Sequence, residues 1–283
     1  MRIIEHIDAL RSALGPLRAD KRIGLVPTMG NLHDGHLALV SACRRSADVC
    51  VASIFVNPMQ FGPTEDYLQY PRTPEPDRQR LADAGVDYLF TPGEEEMYPG
   101  GRFAQTSVHV PFLSGFLCGA ARPGHFDGVA TVVLKLLNIV VPHVAFFGEK
   151  DYQQLNIIRA FVRHLDVPVE IVGVPTVRAP DGLALSSRNQ YLSNDERRVA
   201  PRLHEVLCVT RDALLAGRRD FATLERSAVD TLARTGFRPD YVAIRDAGTL
   251  RLPTREAKTL SVLGAAYLGR ARLIDNVSVE LAR

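Results

Sequence analysis

Cysteine is scarce in this chain of 283 residues; there are four, Cys43, Cys50, Cys118 and Cys208. Their wide spacing makes neither a C-x-x-C pair nor a zinc knuckle. They read as reduced, mostly buried small side chains of a cytosolic protein. No apolar run approaches the roughly 20 residues that cross a bilayer, so no membrane partner is expected. Met1 to Leu10 carries charges inside its apolar pattern and lacks the uninterrupted apolar stretch of a secretion signal. An excess of one charge is missing as well: 34 Lys and Arg stand against 32 Asp and Glu, a net of +2. So small a surplus gives no general signal for nucleic acid, whose backbone attracts concentrated positive charge. Fixed-period repeats and low-complexity tracts are absent. What remains is ordinary globular composition, 46% apolar and 23% charged, which argues against disorder. The length suits one large domain or two unequal ones.

Hydrophobic patterning predicts alternating strands and helices. An amphipathic helix is expected over 3–19, ending near Pro16, then a strand over 22–28. A helix from His36 follows, then a strand over 49–56 that is apolar on both faces, as in parallel sheets covered by helices. The alternation continues with a helix over 75–84 and a strand over 86–90. Gly- and Pro-rich loops holding a short strand at 106–110 come next, and then a buried helix over 127–140. A strand over 144–147, a helix over 151–165 and a strand over 167–172 complete a doubly wound α/β pattern. After Gly182 the character changes to amphipathic helices over 195–217 and 221–235 and strands over 240–245, 259–268 and 272–275. These read as a smaller α+β domain. The division is placed at 1–178 and 179–283.

Four segments carry chemistry. PTMGNLHDGH (27–36) joins a strand end to a helix start, where open α/β sheets bind ligands and where unpaired amides can face phosphate. His33 and His36 can converge there, donating as neutral rings or adding charge as cations. Each alone also fits a surface or capping residue, and the pair fits a metal site if a third ligand exists. Neither the Walker pattern nor G-x-G-x-x-G is present, which speaks against a P-loop and against an NAD-binding dehydrogenase. FVNPMQF (55–61) offers Asn57 and Gln60 at another strand end, either for a small polar substrate or as a self-satisfied loop. FGEKDYQQL (147–155) offers Lys150 to phosphate and Asp151 as a helix cap, or is a solvated charged turn. ALSSRN (184–189) gathers Ser186, Ser187 and Arg188, a donor fork suited to phosphate or carboxylate. A serine nucleophile there lacks the G-x-S-x-G elbow.

With YPRT (70–73), RPGHF (122–126), GLALSSRN (182–189) and ARLIDN (271–276), these segments in this order resemble the pantothenate synthetase family, the pantoate–β-alanine ligases. The resemblance spans nearly the whole chain. It implies a Rossmann-like nucleotidyltransferase domain with a smaller C-terminal domain over the cleft, and a cytoplasmic homodimer that needs Mg2+. It implies that ATP, (R)-pantoate and β-alanine give AMP, diphosphate and pantothenate through pantoyl adenylate. Carried over residue by residue, Met29, Gly30, Asn31, Leu32, His33, Asp34, Gly35 and His36 line the ATP site, His36 as proton donor and both histidines at the phosphates. Gly148, Glu149, Lys150 and Asp151 bind ATP as well, with Lys150 at the phosphates. Val177 meets adenine through its backbone, and Leu185, Ser186, Ser187 and Arg188 close over the nucleotide. Gln60 and Gln154 hold pantoate, accompanied by Asn57, and Gln60 also lies near β-alanine. His36, His33, Lys150 and Arg188 form the catalytic set. Some relatives carry two adjacent acidic residues after YPRT; here the pair is Pro76-Asp77, leaving Asp77, water and ATP oxygens for the metal. Two rivals are a nucleotidyltransferase activating another small carboxylic acid and a nucleotide-binding module without turnover.

Overall fold

The structure is a computed structural model that describes residues 1–63, 65–254 and 256–281. The chain folds into two compact units, one of 1–149 with 157–175 and one of 150–156 with 176–283. The segment 150–156 thus groups with the later half of the chain, although the sequence reading places it before the division.

In the first unit, six strands among the described residues form a parallel sheet in the order β1-β4-β3-β2-β5-β6. They are β1 (Arg2–Ile4), β2 (Ile23–Thr28), β3 (Val49–Ile54), β4 (Tyr88–Phe90), β5 (Val144–Gly148) and β6 (Glu170–Val174). Helices α1 (Ile7–Leu14), α2 (Asp34–Ser46), α3 (Pro74–Asp83), α4 (Glu94–Met97), α5 (Cys118–Ala121), α6 (His125–Val140) and α7 (Tyr152–His164) connect them. Val26, Ala52, Leu89 and Phe146 of the sheet pack with Val40, Cys43 and Leu81 of α2 and α3 in one buried cluster. β3 is buried along almost its whole length, as its unbroken apolar run requires. Strand order reverses between β2, which leads to β3, and β5, so Thr28 and Gly148 end the two strands at the switch point where such sheets bind ligands.

Two details of this unit depart from the sequence reading. The expected first helix is preceded by an edge strand, β1, and α1 begins only at Ile7; three residues of strand are too few to show a period. The strand expected at 106–110 is absent, because the segment finds no ladder partner and its Val108 amide donates to Thr131 Oγ1 instead.

In the second unit, β7 (Arg238–Asp246), β8 (Thr259–Leu268) and β9 (Ala271–Glu280) form an antiparallel sheet in the order β7-β8-β9. Helices α8 (Asn194–Val199), α9 (Arg202–Leu215) and α10 (Phe221–Arg234) accompany it. Leu203, Leu207, Leu224 and Leu232 bury their side chains with Val242, Ile244, Val262 and Leu273. The single helix expected over 195–217 is two, parted at Pro201, which has no amide to continue the first.

Candidate functional site

β2 ends at Thr28, and α2 starts at Asp34. Between them Gly30 (φ +82°) and Asn31 (φ +49°) take left-handed backbone, which glycine adopts without steric cost. A Cβ on Gly30 would stand 3.1 Å from Asp77 Oδ2 and from Ile54 Cγ2. Asp77 is 2% exposed, and its two oxygens accept from the amides of Asn31 and Leu32 at 2.8 Å each. The carboxylate expected near the metal is therefore engaged in bracing this turn. Asp34 is exposed, with Arg80 at 3.6 Å.

His33 caps α2. Its Nδ1 accepts from the Gly35 amide at 3.1 Å, while His36 Nδ1 accepts from the His33 amide at 3.2 Å, and the rings lie 4.1 Å apart. A backbone amide can only donate, so neither Nδ1 carries a proton and each neutral ring keeps its proton on Nε2. Capping and ligand binding are thus compatible: Nδ1 holds the helix end, and Nε2–H is a donor. Among the described residues no group of three or more His, Cys, Asp or Glu is arranged for a metal ion, so the third ligand that a histidine metal site needs is missing.

The FVNPMQF segment forms a single 3-10 turn over Pro58–Gln60. Asn57 is 1% exposed and has all its polar capacity engaged. Its Nδ2 donates to Gly128 O and to Gln60 Oε1, both at 3.1 Å. Its Oδ1 accepts from the Met59 amide at 3.3 Å and the Tyr98 hydroxyl at 2.7 Å. Burial and nearby Glu94 push the Tyr98 hydroxyl well up, so it stays a donor. Gln60 Nε2 lies 2.9 Å from Met29 Sδ. The RPGHF segment holds the same turn from its other side. His125 Nδ1 donates to Gln60 O at 2.8 Å, which leaves Nε2 to accept from Arg122 Nη1 at 2.9 Å. Arg122 also forks onto Glu65 at 2.5 and 2.7 Å. Burial pushes the Glu65 carboxyl up, but the Arg122 bonds and charge outweigh that and hold it below its usual value.

β5 ends at Gly148, and a 3-10 turn over Glu149–Asp151 leads into α7. Lys150 is largely buried, with its Nζ 3.7 Å from Asp151 Oδ2. Gln154, on α7, is half-buried. Val177 to Leu185 is a hairpin: Arg178 bridges Ala184, and the Leu185 amide donates to Val177 O at 3.0 Å. The Val177 carbonyl is thereby taken. Ser186 caps the next 3-10 turn, its Oγ accepting from the Arg188 amide at 3.3 Å. Within the second unit Lys150, Ser186, Asn189, His204 and Asp275 border a small cavity of ≈ 10 Å³.

The structure thus joins Met29, the two histidines, Asn57, Gln60 and Asp77 to the turns of one unit, and Lys150 and Ser186 to one cavity of the other. Sequence reasoning gave no role to Tyr98, Gly128, Arg178, Asp275 or Asn276. The last two stood in the quoted ARLIDN segment, which was the available signal.

Turns gathered at the carboxyl ends of a switched parallel sheet place the chain in the α/β class whose ligands bind at that edge. Residues 2–278 match the family described as Pantoate-beta-alanine ligase. A pantothenate synthetase of Azotobacter vinelandii is 56% identical over 280 residues, covering 99% of each chain. One from Stutzerimonas stutzeri is 55% identical over 282 residues, again covering 99% of each. The crystal structure of pantothenate synthetase from Thermus thermophilus matches with a TM-score of 0.91 at 49% identity, covering 98% of this chain and 99% of that one. A Francisella tularensis pantoate-beta-alanine ligase, solved with beta-gamma ATP and beta-alanine, matches at 0.82 and 36% identity, covering 98% and 97%. The chain belongs to the pantoate-beta-alanine ligase family, and it is an enzyme, a ligase.

Proposed function

We propose that His33, His36, Lys150, Ser186, Ser187 and Arg188 donate to the phosphates of ATP, and that Gln60 and Gln154 hold pantoate. The reaction is the ATP-dependent condensation of (R)-pantoate with β-alanine to pantothenate, AMP and diphosphate through pantoyl adenylate. The observation that supports the residue assignment is the cap at His33 and His36, where each Nδ1 accepts a backbone amide and each Nε2 therefore carries the ring proton, at a strand end of the switch point.

A carboxylate acylates poorly because its leaving group would be oxide; adenylation replaces that with AMP. The pantoate carboxylate is already ionised near neutrality, so the first step needs no strong base. It needs orientation of a carboxylate oxygen against the α-phosphorus and donors for the oxygens on which charge grows. Neutral histidines protonated on Nε2, Lys150 and Arg188 are suited to that task, while the amides of Asn31, Leu32, His33 and Gly35 shape the turn that presents them. His36, which the resemblance gives as proton donor, acts in this reading as a neutral ring that donates a hydrogen bond through Nε2–H. In the second step the neutral amine of β-alanine attacks the acyl carbon, the bond to the phosphate oxygen breaks and AMP leaves, and the surplus amine proton passes to water, a histidine or the AMP phosphate.

The resemblance also implies Mg2+. Asp77 is occupied by two amides and no cluster of metal ligands is found among the described residues, so these residues offer no cage of their own. That donor set suits a Mg2+ ion carried by ATP oxygens and water, where it supplies charge neutralisation. A cytoplasmic homodimer is the setting this reading expects, and no helix of the described residues is long and apolar enough to cross a membrane.

The test mixes the protein with ATP, Mg2+, pantoate and β-alanine, omits each in turn, and identifies AMP and the amide by mass. Diphosphate release that needs pantoate but not β-alanine is expected on the first turnover. Release supported by another small acid and not by pantoate would overturn the substrate assignment.

A further inference from the structure

We propose that Asp275 and Asn276 are positioning residues for Lys150 and for the Ser186–Arg188 donors, a proposal that rests on the reading of Lys150 as a phosphate donor. Both sit on β9, 5% and 7% exposed, and neither belongs to the assigned set. The Asn276 Nδ2 group donates to Lys150 O at 3.0 Å. A carbonyl oxygen only accepts, so the orientation of this amide is fixed by its partner. The bond pins the main chain of Lys150 in the short turn between β5 and α7, and with it the direction in which the side chain leaves.

Asp275 does the same for the hairpin. Its carboxylate takes the Arg178 fork at 2.6 and 2.9 Å, the Asn276 amide at 2.7 Å and His204 Nδ1 at 3.4 Å. Arg178 in turn donates to Gly182 O at 3.1 Å and Asn276 O at 3.3 Å, and pairs with Ala184 across the hairpin. Ser186 is two residues further on. Two consecutive residues of one strand thus fix the backbones that carry Lys150 and Ser186. A lysine on a four-carbon stem helps a developing charge only if little ordering is left to do at the moment of reaction. A packing role would be met by any side chain of similar volume, whereas this role needs the NH2 group of Asn276.

The experiment measures single-turnover adenylation by the full-length enzyme with ATP, Mg2+ and pantoate in N276A, N276D, K150A and K150A/N276A, alongside pantoate affinity by calorimetry. N276D keeps the shape and removes the donor, so it carries the test if N276A fails to fold. The expectation is a loss of about tenfold or more in the adenylation rate of both Asn276 variants at unchanged pantoate affinity. The double variant should be no slower than K150A within about twofold, because Asn276 acts through Lys150. Wild-type rates in both Asn276 variants, or losses that multiply in the double variant, would overturn the proposal. A wild-type rate in K150A would instead remove the reading of Lys150 on which it rests.

Discussion

Asn57 Nδ2 donates to Gln60 Oε1 at 3.1 Å, and this bond fixes which way the Gln60 amide is turned. Its polarity is not a matter of choice. The Met59 amide must donate to Asn57 Oδ1 and the Gly128 carbonyl must accept from Asn57 Nδ2, so the orientation of Asn57 follows, and that of Gln60 after it. Gln60 is left offering NH2. On the proposal that Gln60 holds pantoate, its partner would be an acceptor oxygen, and Asn57 would act by holding Gln60.

Gln60→Glu tests this. It keeps the shape, replaces the donor with an oxygen, and sets a negative charge toward the pantoate carboxylate. A hydrogen bond to a charged group is worth about 1.5–3 kcal/mol, so pantoate affinity should fall roughly tenfold to 100-fold or more. ATP affinity should stay near wild type in the same calorimetric titrations. Unchanged pantoate binding would show that Gln60 does not donate to it.

For the histidines the expected effects differ. His36→Ala should cut kcat about 100-fold, as loss of one preorganised donor does, with a smaller change in KM for pantoate. His33→Ala removes the side chain that accepts from the Gly35 amide and should also cost about 1 kcal/mol of stability, read from denaturant unfolding. Full activity in His36→Ala would remove it from transition-state stabilisation.

The parallel sheet was legible in the sequence because unbroken apolar runs such as 49–54 have few other uses, and the strand-end segments marked the switch point. β1 was not, since its pairing with β4 is a tertiary fact that three residues cannot announce. The strand ends named Gln60 and the histidines, but not the side chains that orient them. Tyr98 meets Asn57 across 41 residues and Asp77 meets Asn31 across 46. Contacts of that separation leave no local pattern. Asp77 is an example: its letter and its place after YPRT give no hint that its two oxygens accept from the Asn31 and Leu32 amides.

Gly128 is the position where α6 meets the Pro58–Gln60 turn. A Cβ there would press on the Met59 carbonyl and stand 2.6 Å from Gln60 N, main-chain atoms that no rotamer change can move aside. Gly128→Ala should therefore displace the turn, with about 1–3 kcal/mol lost in stability and a larger proportional loss in pantoate affinity than in ATP affinity. Urea unfolding and calorimetry read the two effects separately. Wild-type stability would mean that the helix shifts freely, contrary to the tight approach seen here.

Acid should destabilise the protein through Asp275 and Glu65. Burial pushes the Asp275 carboxyl up, but the His204 and Arg178 bonds outweigh it and hold the group below its usual value, as Arg122 does for Glu65. A carboxyl with a folded pKa below its unfolded one contributes its full stabilisation above the unfolded value, about 3.9 for Asp and 4.3 for Glu. That contribution is lost as pH falls through the folded value. Urea midpoints should therefore be nearly level from pH 7 to about 5, so far as these two groups govern them, and fall below about pH 4. Asp275→Asn removes one of the two titrating groups and leaves the Arg178 cation without its carboxylate. It should be less stable at pH 7, by on the order of 3 kcal/mol, and its midpoint should decline less steeply below pH 4. Glu65→Gln should flatten the same limb in the same direction. Parallel acid limbs in wild type and both variants would show that neither carboxylate carries the acid sensitivity of the fold.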